Sequence, residues 1–133
     1  MATTQTFLTD VKELRKRARQ HMDRGALTQS YELDPKQVVD ILNQALATEI
    51  VCVLRYKRHF YSAKGLNKDA VAAEFLAHAS EEQGHADRIS ERITQLGGDP
   101  DLNPATLTTR AHSEYQEGDD LISMIKENLV AER

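Results

Sequence analysis

Apolar residues recur every three or four positions along three long stretches of the chain, and this spacing places them on one face of an α-helix. The first predicted helix covers about residues 35–63, with Asp34 as its N-cap and Pro35 at its first position. The second covers about residues 68–96 and ends at the Gly-Gly-Asp-Pro sequence 97–100. Only a short turn joins the two, so we expect an antiparallel helical hairpin.

A long connector, residues 99–117, separates the second helix from a third one that begins near Asp119 and Asp120. We expect the connector to cross the bundle with little regular structure, so that the third helix runs parallel to the second. The helical pattern is still in progress at Arg133. The sequence therefore predicts an all-α four-helix bundle over residues 34–133, truncated after the third helix begins, with its fourth helix missing.

Residues 1–33 form a separate N-terminal arm in this prediction. A short helical pattern extends from Phe7 to about Arg24 and predicts an accessory helix, which packs on the outside of the bundle or on a neighbouring subunit. Residues 1–24 carry six basic and three acidic side chains, whereas the whole chain has a net charge of −4. A basic helix of this kind is most often a solvated surface, but it also suits nucleic acid.

Each long helix places a carboxylate on its apolar face. Glu49 interrupts the first helix and Glu132 the third, while the second carries Glu82 and, three residues later, His85. An unpaired charge in a protein core is costly, so these side chains need compensation. The predicted core positions are Val38 or Val39, Leu42, Leu46, Glu49, Val53, Tyr56 and Phe60; Val71, Phe75, His78, Glu82, His85, Ile89, Ile93 and Leu96; and Leu121 or Ile122, Ile125, Leu129 and Glu132.

Carboxylates with one imidazole suit iron or manganese better than a structural zinc, which prefers thiolates or more histidines. A Glu-x-x-His pair on one helical face is one half of a carboxylate-bridged dimetal site in a four-helix bundle. Two divalent ions would offset the three carboxylates once a further Glu and His were supplied. The alternative is a structural bundle whose carboxylates pair with Arg or Lys, although few basic residues share these faces. The other histidines are assigned no role: His21, His59, His78 and His112.

Composition narrows the class of protein further. The 133 residues suffice for one domain, and the combination of 29% charged and 5% aromatic residues fits an all-α protein. No apolar run is expected to span a membrane and the N-terminus lacks a secretion signal, so we expect a cytoplasmic protein without membrane contact. Cys52 is the only cysteine and is expected to be a small core residue.

The order and spacing of these residues resemble the ferritin-like superfamily, and bacterioferritin most closely, over roughly residues 35–133. The resemblance rests on Glu49 followed by Tyr56, on Glu82-x-x-His85 with its Ala-Asp-Arg continuation, and on Glu132. It implies that Glu49 and His85 are terminal ligands of one iron and that Glu82 bridges two irons. It also implies that Glu132 is a terminal ligand of the second iron, with Tyr56 beside the metals.

The resemblance further implies a di-iron ferroxidase that oxidises Fe(II) to Fe(III) with dioxygen or peroxide. Such proteins store the ferric mineral inside a hollow homo-oligomer of 12 or 24 subunits. The haem-ligating methionine of bacterioferritin is replaced here by Gln83, so haem is not expected. Ferroxidase activity also depends on a fourth helix, which this sequence does not contain.

The arm and the long connector are similar to those of Dps-type mini-ferritins, which form twelve-subunit shells. The alternative function is accordingly a Dps-like protein that protects DNA against peroxide and binds its phosphates through residues 12–24. No aromatic interleaving or groove-reading motif supports DNA binding, and the acidic body opposes it.

Overall fold

The computed structural model describes residues 10–20, 27 and 30–133. The chain divides into two compact units, Met1–Glu32 and Leu33–Arg133. The described residues form five α-helices and one 3-10 turn and contain no strand, which confirms the all-α prediction.

The first unit contains helix α1, Val11–Arg19. Asp10 caps it by accepting hydrogen bonds from the backbone N–H groups of Lys12 and Glu13. Every residue of α1 is exposed. Both ends of the predicted accessory helix, residues 7–9 and 21–24, lie outside the described residues.

The second unit is built on a helical hairpin of α2, Pro35–Ser62, and α3, Lys68–Gln95. Asp34 caps α2 by accepting from the backbone N–H of Lys36 at 3.0 Å, as the sequence predicts. The turn reverses the chain through two left-handed positions, Gly65 and Asn67. Residues near the end of α2 therefore pack against the start of α3, and the helices are antiparallel.

Two apolar layers hold the hairpin together, one towards each end. Leu46 packs with Ala86 and Ile93 in the first layer. The second layer is nearer the turn and also receives a side chain of the last helix; its members are Cys52, Tyr56, Phe75, Ala79 and Met124. Cys52 is thus a core residue, as expected. The level between the two layers is where the polar residues of the hairpin face each other.

By length and composition, α2 is the one helix among the described residues that is long and apolar enough to cross a membrane, with a mean hydropathy of 1.4 over 18 residues. The expectation that no apolar run spans a membrane stays a prediction. A core helix meets the same criterion, because its inward face is as apolar as a membrane span. In this structure the apolar face of α2 packs on α3.

The connector has more regular structure than predicted. It contains a 3-10 turn, Pro104–Thr106, which continues into the short helix α4, Leu107–Arg110. Leu107 packs on Ala47 and Val51 of α2. The rest of the connector has no regular secondary structure, in agreement with the prediction of a long crossover, and these short elements were not predicted because the contacts that hold them lie far apart in sequence.

Just before the connector lies a glycine that no other residue can replace without adjustment of its neighbours. A Cβ atom on Gly98 would lie 2.6 Å from a methyl group of Val39. The connector therefore leaves α3 pressed against the start of α2. Asn43 of α2 then holds it by accepting from the backbone N–H of Asp101 at 2.8 Å.

The last helix, α5, covers Leu121–Glu132, and Asp120 caps it by accepting from the N–H of Ser123 at 2.7 Å. Its start matches the prediction, but its predicted core face was wrong. Met124 and Asn128 are buried, whereas Ile125 and Leu129 are 36% and 64% exposed. The helix is rotated because a buried polar contact of Asn128 with α2 sets its inner face. Ile125 and Leu129 instead line an open groove of about 260 Å³ beside α3.

Candidate metal centre

The structure brings three of the predicted site residues together at the level between the two apolar layers. Glu49 projects from α2 towards Glu82 and His85 on α3, and one donor atom from each lies within 4.8 Å of the others. The Nδ1 atom of His85 is 3.2 Å from an oxygen of Glu82 and 3.4 Å from an oxygen of Glu49. Two carboxylates and one imidazole therefore converge on a single point.

These residues meet because the antiparallel hairpin places the middle of α2 opposite the middle of α3. Glu82 and His85 are one turn apart and share a face of α3. The side chains of Glu49 and Glu82 are only 24% and 12% exposed. The two carboxylates are thus largely removed from water, whereas the side chain of His85 is 44% exposed. Burial makes the charge of the carboxylates expensive to leave unbalanced.

The pKa of Glu49 shows the energetic cost of placing this charge away from water. Burial, together with the hydrogen bond and the negative charge of Glu82, raises the pKa of Glu49 from its ordinary 4.5 to about 7. Its Oε2 atom is buried and makes no hydrogen bond of good geometry, although Nδ1 of His85 lies 3.4 Å away and offsets part of the rise in pKa. An orphaned carboxylate oxygen between an acid and an imidazole fits a divalent cation, which would supply the missing positive charge.

Tyr56 and Glu132 form a second polar pair next to the first group. The Tyr56 hydroxyl donates to Oε1 of Glu132 at 2.7 Å. Burial raises the pKa of Tyr56 well above its usual range, and the hydrogen bond and charge of Glu132 and the charge of Glu82 add to this. Tyr56 therefore stays protonated, and the negative charges of Glu132 and Glu82 both contribute to this. Glu132 is not part of the three-residue group; it lies on the tyrosine.

Among the described residues, the basic side chain beside Glu49 and Glu82 is the imidazole of His85. Within the described part of the chain, no Lys or Arg side chain lies at ion-pair distance from Glu49, Glu82 or Glu132. The structural alternative, in which Arg or Lys would neutralise these acids, therefore has no support in these contacts.

One histidine that was assigned no role lies against the site. The ring of His78 stacks on the ring of Tyr56 with centroids 5.1 Å apart and an angle of 17°. Its Nδ1 atom also approaches Glu81 at 3.4 Å. The position of His78 on the predicted core face of α3, one turn before Glu82, could have indicated that it lies at the site. The sequence alone does not distinguish a histidine that stacks on a tyrosine from one that is buried in the core.

A buried polar group was missed altogether. Arg55 and His59 of α2 are fully buried, and both contact Asn128 of α5. Burial lowers the pKa of His59, so this histidine is neutral. Sequence reasoning missed the group because its members lie beside the predicted core positions rather than on them.

His112, the remaining described histidine, lies at the surface near Glu49. Its Nε2 atom is 3.0 Å from the side-chain oxygen of Gln44. Both residues border an opening of about 310 Å³ that reaches Glu49. The opening gives solutes a route to this carboxylate.

Comparison with known proteins decides the family. Residues 39–133 match the family model of the ferritin-like domain. The chain belongs to the ferritin-like domain family. This confirms the resemblance seen in the sequence, and the helices of the described residues agree with the helical bundle of that family.

Two curated relatives illustrate the range of this family. The ferritin-like chain is 34% identical over 64 residues to a bacterioferritin of Desulfovibrio desulfuricans, which is 48% of this chain and 36% of that protein. It is 33% identical over 85 residues to a DNA protection during starvation protein of Halobacterium salinarum, which is 63% of this chain and 46% of that protein. The matched segments thus span less than half the length of either relative.

Solved structures agree with the fold. The dodecameric thioferritin of Bacteroides fragilis, a bacterioferritin-related protein, superposes with a TM-score of 0.73 at 34% identity and covers 77% of this chain and 62% of its own. Dps from Thermosynechococcus elongatus gives a TM-score of 0.68 at 26% identity and covers 72% and 62%.

Proposed function

We propose that this protein stores and detoxifies iron as a di-iron ferroxidase in the cytoplasm. The observation that carries the proposal is the convergence of Glu49, Glu82 and His85 around an orphaned carboxylate oxygen. Family membership supports it, since bacterioferritin is among the relatives. Oxygen donors with one imidazole are also the ligand set that suits Fe(II).

Each site residue has a separate task in this proposal. Glu49 and His85 hold one Fe(II), and Glu82 lies between the two ions of a pair. Glu132 holds the second Fe(II), and the Tyr56 hydroxyl orients its carboxylate through their hydrogen bond. The further Glu and His that a full pair of ions needs would come from an additional helix.

Fe(II) is the substrate, and the oxidant is dioxygen or peroxide. Two Fe(II) ions lose one electron each; a peroxide molecule takes up these two electrons and two protons and becomes two water molecules. With dioxygen, the same two electrons and two protons give hydrogen peroxide. Binding of the cation displaces the proton that the raised pKa of Glu49 retains near neutral pH.

We also propose a homo-oligomeric shell, and twelve subunits rather than twenty-four. The support is the similarity to the thioferritin of Bacteroides fragilis, which is dodecameric. We do not propose haem binding: Gln83, at the position of the haem-ligating methionine, donates to Asp87 on its own helix at 3.0 Å.

The proposal is tested by following Fe(III) absorbance while Fe(II) is added in air. The wild type should show a break at roughly two irons per subunit, and Glu82→Gln should abolish the fast phase. Glu81→Gln is the matched control, because Glu81 is the neighbouring glutamate on α3 and is exposed. Equal rates in the wild type and in Glu82→Gln would overturn the ferroxidase proposal.

A second candidate function is DNA protection through the basic arm. Helix α1 is exposed along its whole length and has Lys16, Arg17 and Arg19 in its last turn. A relative that is 33% identical is a DNA protection protein. Deleting residues 1–24 should abolish a gel shift that weakens steeply with salt; an unchanged shift would exclude the arm.

A further inference from the structure

Three polar side chains lie buried together where α2, α5 and the connector meet. Arg55, His59 and Asn128 are 1%, 0% and 6% exposed. The Nε atom of Arg55 donates to the side-chain oxygen of Asn128 at 2.9 Å. The side-chain nitrogen of Asn128 lies 3.0 Å from Nδ1 of His59. Both ends of this amide are therefore occupied.

The directions of these hydrogen bonds are mutually fixed. The Nε2 atom of His59 is 2.7 Å from the carbonyl oxygen of Gln116, which can only accept, so Nε2 carries the proton. Nδ1 of His59 is then free to accept from the amide nitrogen of Asn128. An arginine can only donate, so the amide oxygen must face Arg55. Neither the amide nor the imidazole can turn over without breaking a buried hydrogen bond.

Arg55 also ties the connector to this point. Its Nη1 atom donates to the Ser113 hydroxyl at 2.8 Å and to the carbonyl oxygen of Glu114 at 2.9 Å. A shift of α5 along or around its axis would leave the buried guanidinium of Arg55 without its Asn128 acceptor. That costs more free energy than the loss of a hydrogen bond between two neutral groups. The network therefore permits one register of α5 on α2.

The register of α5 affects the candidate metal centre through Glu132 and Tyr56, which lie close in sequence to Asn128 and Arg55. Glu132 lies one helical turn after Asn128 and on the same face of α5. Tyr56, which follows Arg55 on α2, donates to Glu132. Ile125 and Leu129 of α5 contribute little to holding this end of the helix, because both face the open groove.

We propose that Asn128 is a positioning residue, which fixes the register of α5 through Arg55 and His59 and so holds Glu132 on Tyr56. The inference rests on the proposed function, because Glu132 matters as a ligand only if the site binds metal. Asn128 itself is not one of the three side chains that converge as possible ligands.

The first test needs no metal. Tyrosine labelled with ¹³C at Cζ gives NMR signals that report hydrogen bonding of the hydroxyl, and Tyr56→Phe identifies the signal of Tyr56. Asn128→Leu keeps the side-chain volume without the hydrogen bonds and should move the Tyr56 signal in the same direction as Glu132→Gln. Val130→Ala, a change at an exposed position of α5, should leave it in place.

The second test uses Co(II), a redox-inert probe, and separates positioning from general destabilisation. Glu132→Gln and Asn128→Leu should each weaken Co(II) binding about tenfold. The double variant should bind no more weakly than Glu132→Gln alone, because both changes act through one carboxylate. Asn128→Asp keeps the acceptor for Arg55 but cannot donate to Nδ1 of His59, so it should restore the affinity and the Tyr56 signal only in part.

An unchanged Tyr56 signal in a folded Asn128→Leu protein, or additive losses of about a hundredfold in the double variant, would overturn the inference. Asn128→Ala serves the same comparison if the leucine variant does not fold. If the wild type binds no Co(II), the proposed function falls, and the Tyr56 signal alone decides whether Asn128 positions Glu132.

Discussion

The Nδ1 atom of His85 lies 3.4 Å from a carboxylate oxygen of Glu49, although the two residues belong to different helices. The oxygen in this contact is the buried one that has no hydrogen-bond partner. The hairpin therefore keeps an acid in a place where burial and the charge of Glu82 disfavour its ionised form more than His85 favours it. A cation between the two side chains would stabilise the ionised form, and the following predictions test this account.

Glu49 should make the metal-free protein less stable as the pH rises. Its pKa is about 7 in the folded chain and near 4.5 when unfolded, so the folded state favours the protonated form. The resulting stabilisation is complete below pH 4.5 and is lost as the pH rises through 7. Glu49→Gln should therefore raise the free energy of unfolding at about pH 8 by about 2 kcal/mol.

Urea denaturation in the presence of a chelator measures this effect. The advantage of Glu49→Gln over the wild type should disappear at pH 4.5, the ordinary pKa of the carboxyl, while the exposed neighbour variant Glu81→Gln should follow the wild type at both pH values. A variant less stable than the wild type at the higher pH would show that the carboxylate of Glu49 is already well compensated without metal.

Divalent metal should make the wild type more stable than Glu49→Gln, the reverse of their order without metal. At a free Co(II) concentration about 100 times its dissociation constant, binding adds about 2.7 kcal/mol to the folded state. We expect thermal unfolding of the wild type to shift upwards by several degrees, and that of Glu49→Gln and His85→Ala to stay unchanged. Equal shifts in all three proteins would place the binding elsewhere.

Tyr56→Phe should separate the role of the hydroxyl from that of the ring. The ring remains in the core, whereas Glu132 loses the donor that holds its carboxylate. We expect a loss of about 1 kcal/mol in unfolding free energy and slower Fe(II) oxidation in a stopped-flow assay. Tyr61→Phe, at an exposed tyrosine, is the control and should change neither quantity.

Alanine substitutions at two glycines should change the free energy of unfolding in opposite directions. Gly84 lies inside α3, and a Cβ atom at this position would meet no side chain of the described residues within 4 Å, so Gly84→Ala should stabilise the helix by up to about 1 kcal/mol. Gly98→Ala would press a Cβ against Val39 and should destabilise by about 1–3 kcal/mol. Chemical denaturation gives both values. A Gly84→Ala variant that loses stability would reveal another chain segment or subunit packed there.

The ends of the long helices were predictable because their signals are local. Asp34 and Asp120 cap α2 and α5 where the sequence predicts them, and each cap depends only on a side chain and a backbone N–H two or three residues away. The convergence of Glu49 with Glu82 and His85 also followed from periodicity, because a short turn leaves a hairpin few ways to pack.

The inner face of α5 could not be predicted in the same way. Periodicity placed Ile125 and Leu129 in the core, but the buried contacts of Asn128 with Arg55 and His59 set a different face. These contacts join residues 73 and 69 positions apart. The residues in these contacts are polar, so a prediction based on the spacing of apolar residues does not identify them.

Anomalous X-ray scattering at the iron edge tests the central claim most directly. Crystals prepared with Fe(II) without oxygen should show iron within coordinating distance of Glu49, Glu82 and His85, with a second peak between Glu82 and Glu132. Crystals of Glu82→Gln should lack both peaks. Iron bound only at surface carboxylates of the wild type, with none between α2 and α3, would contradict the account.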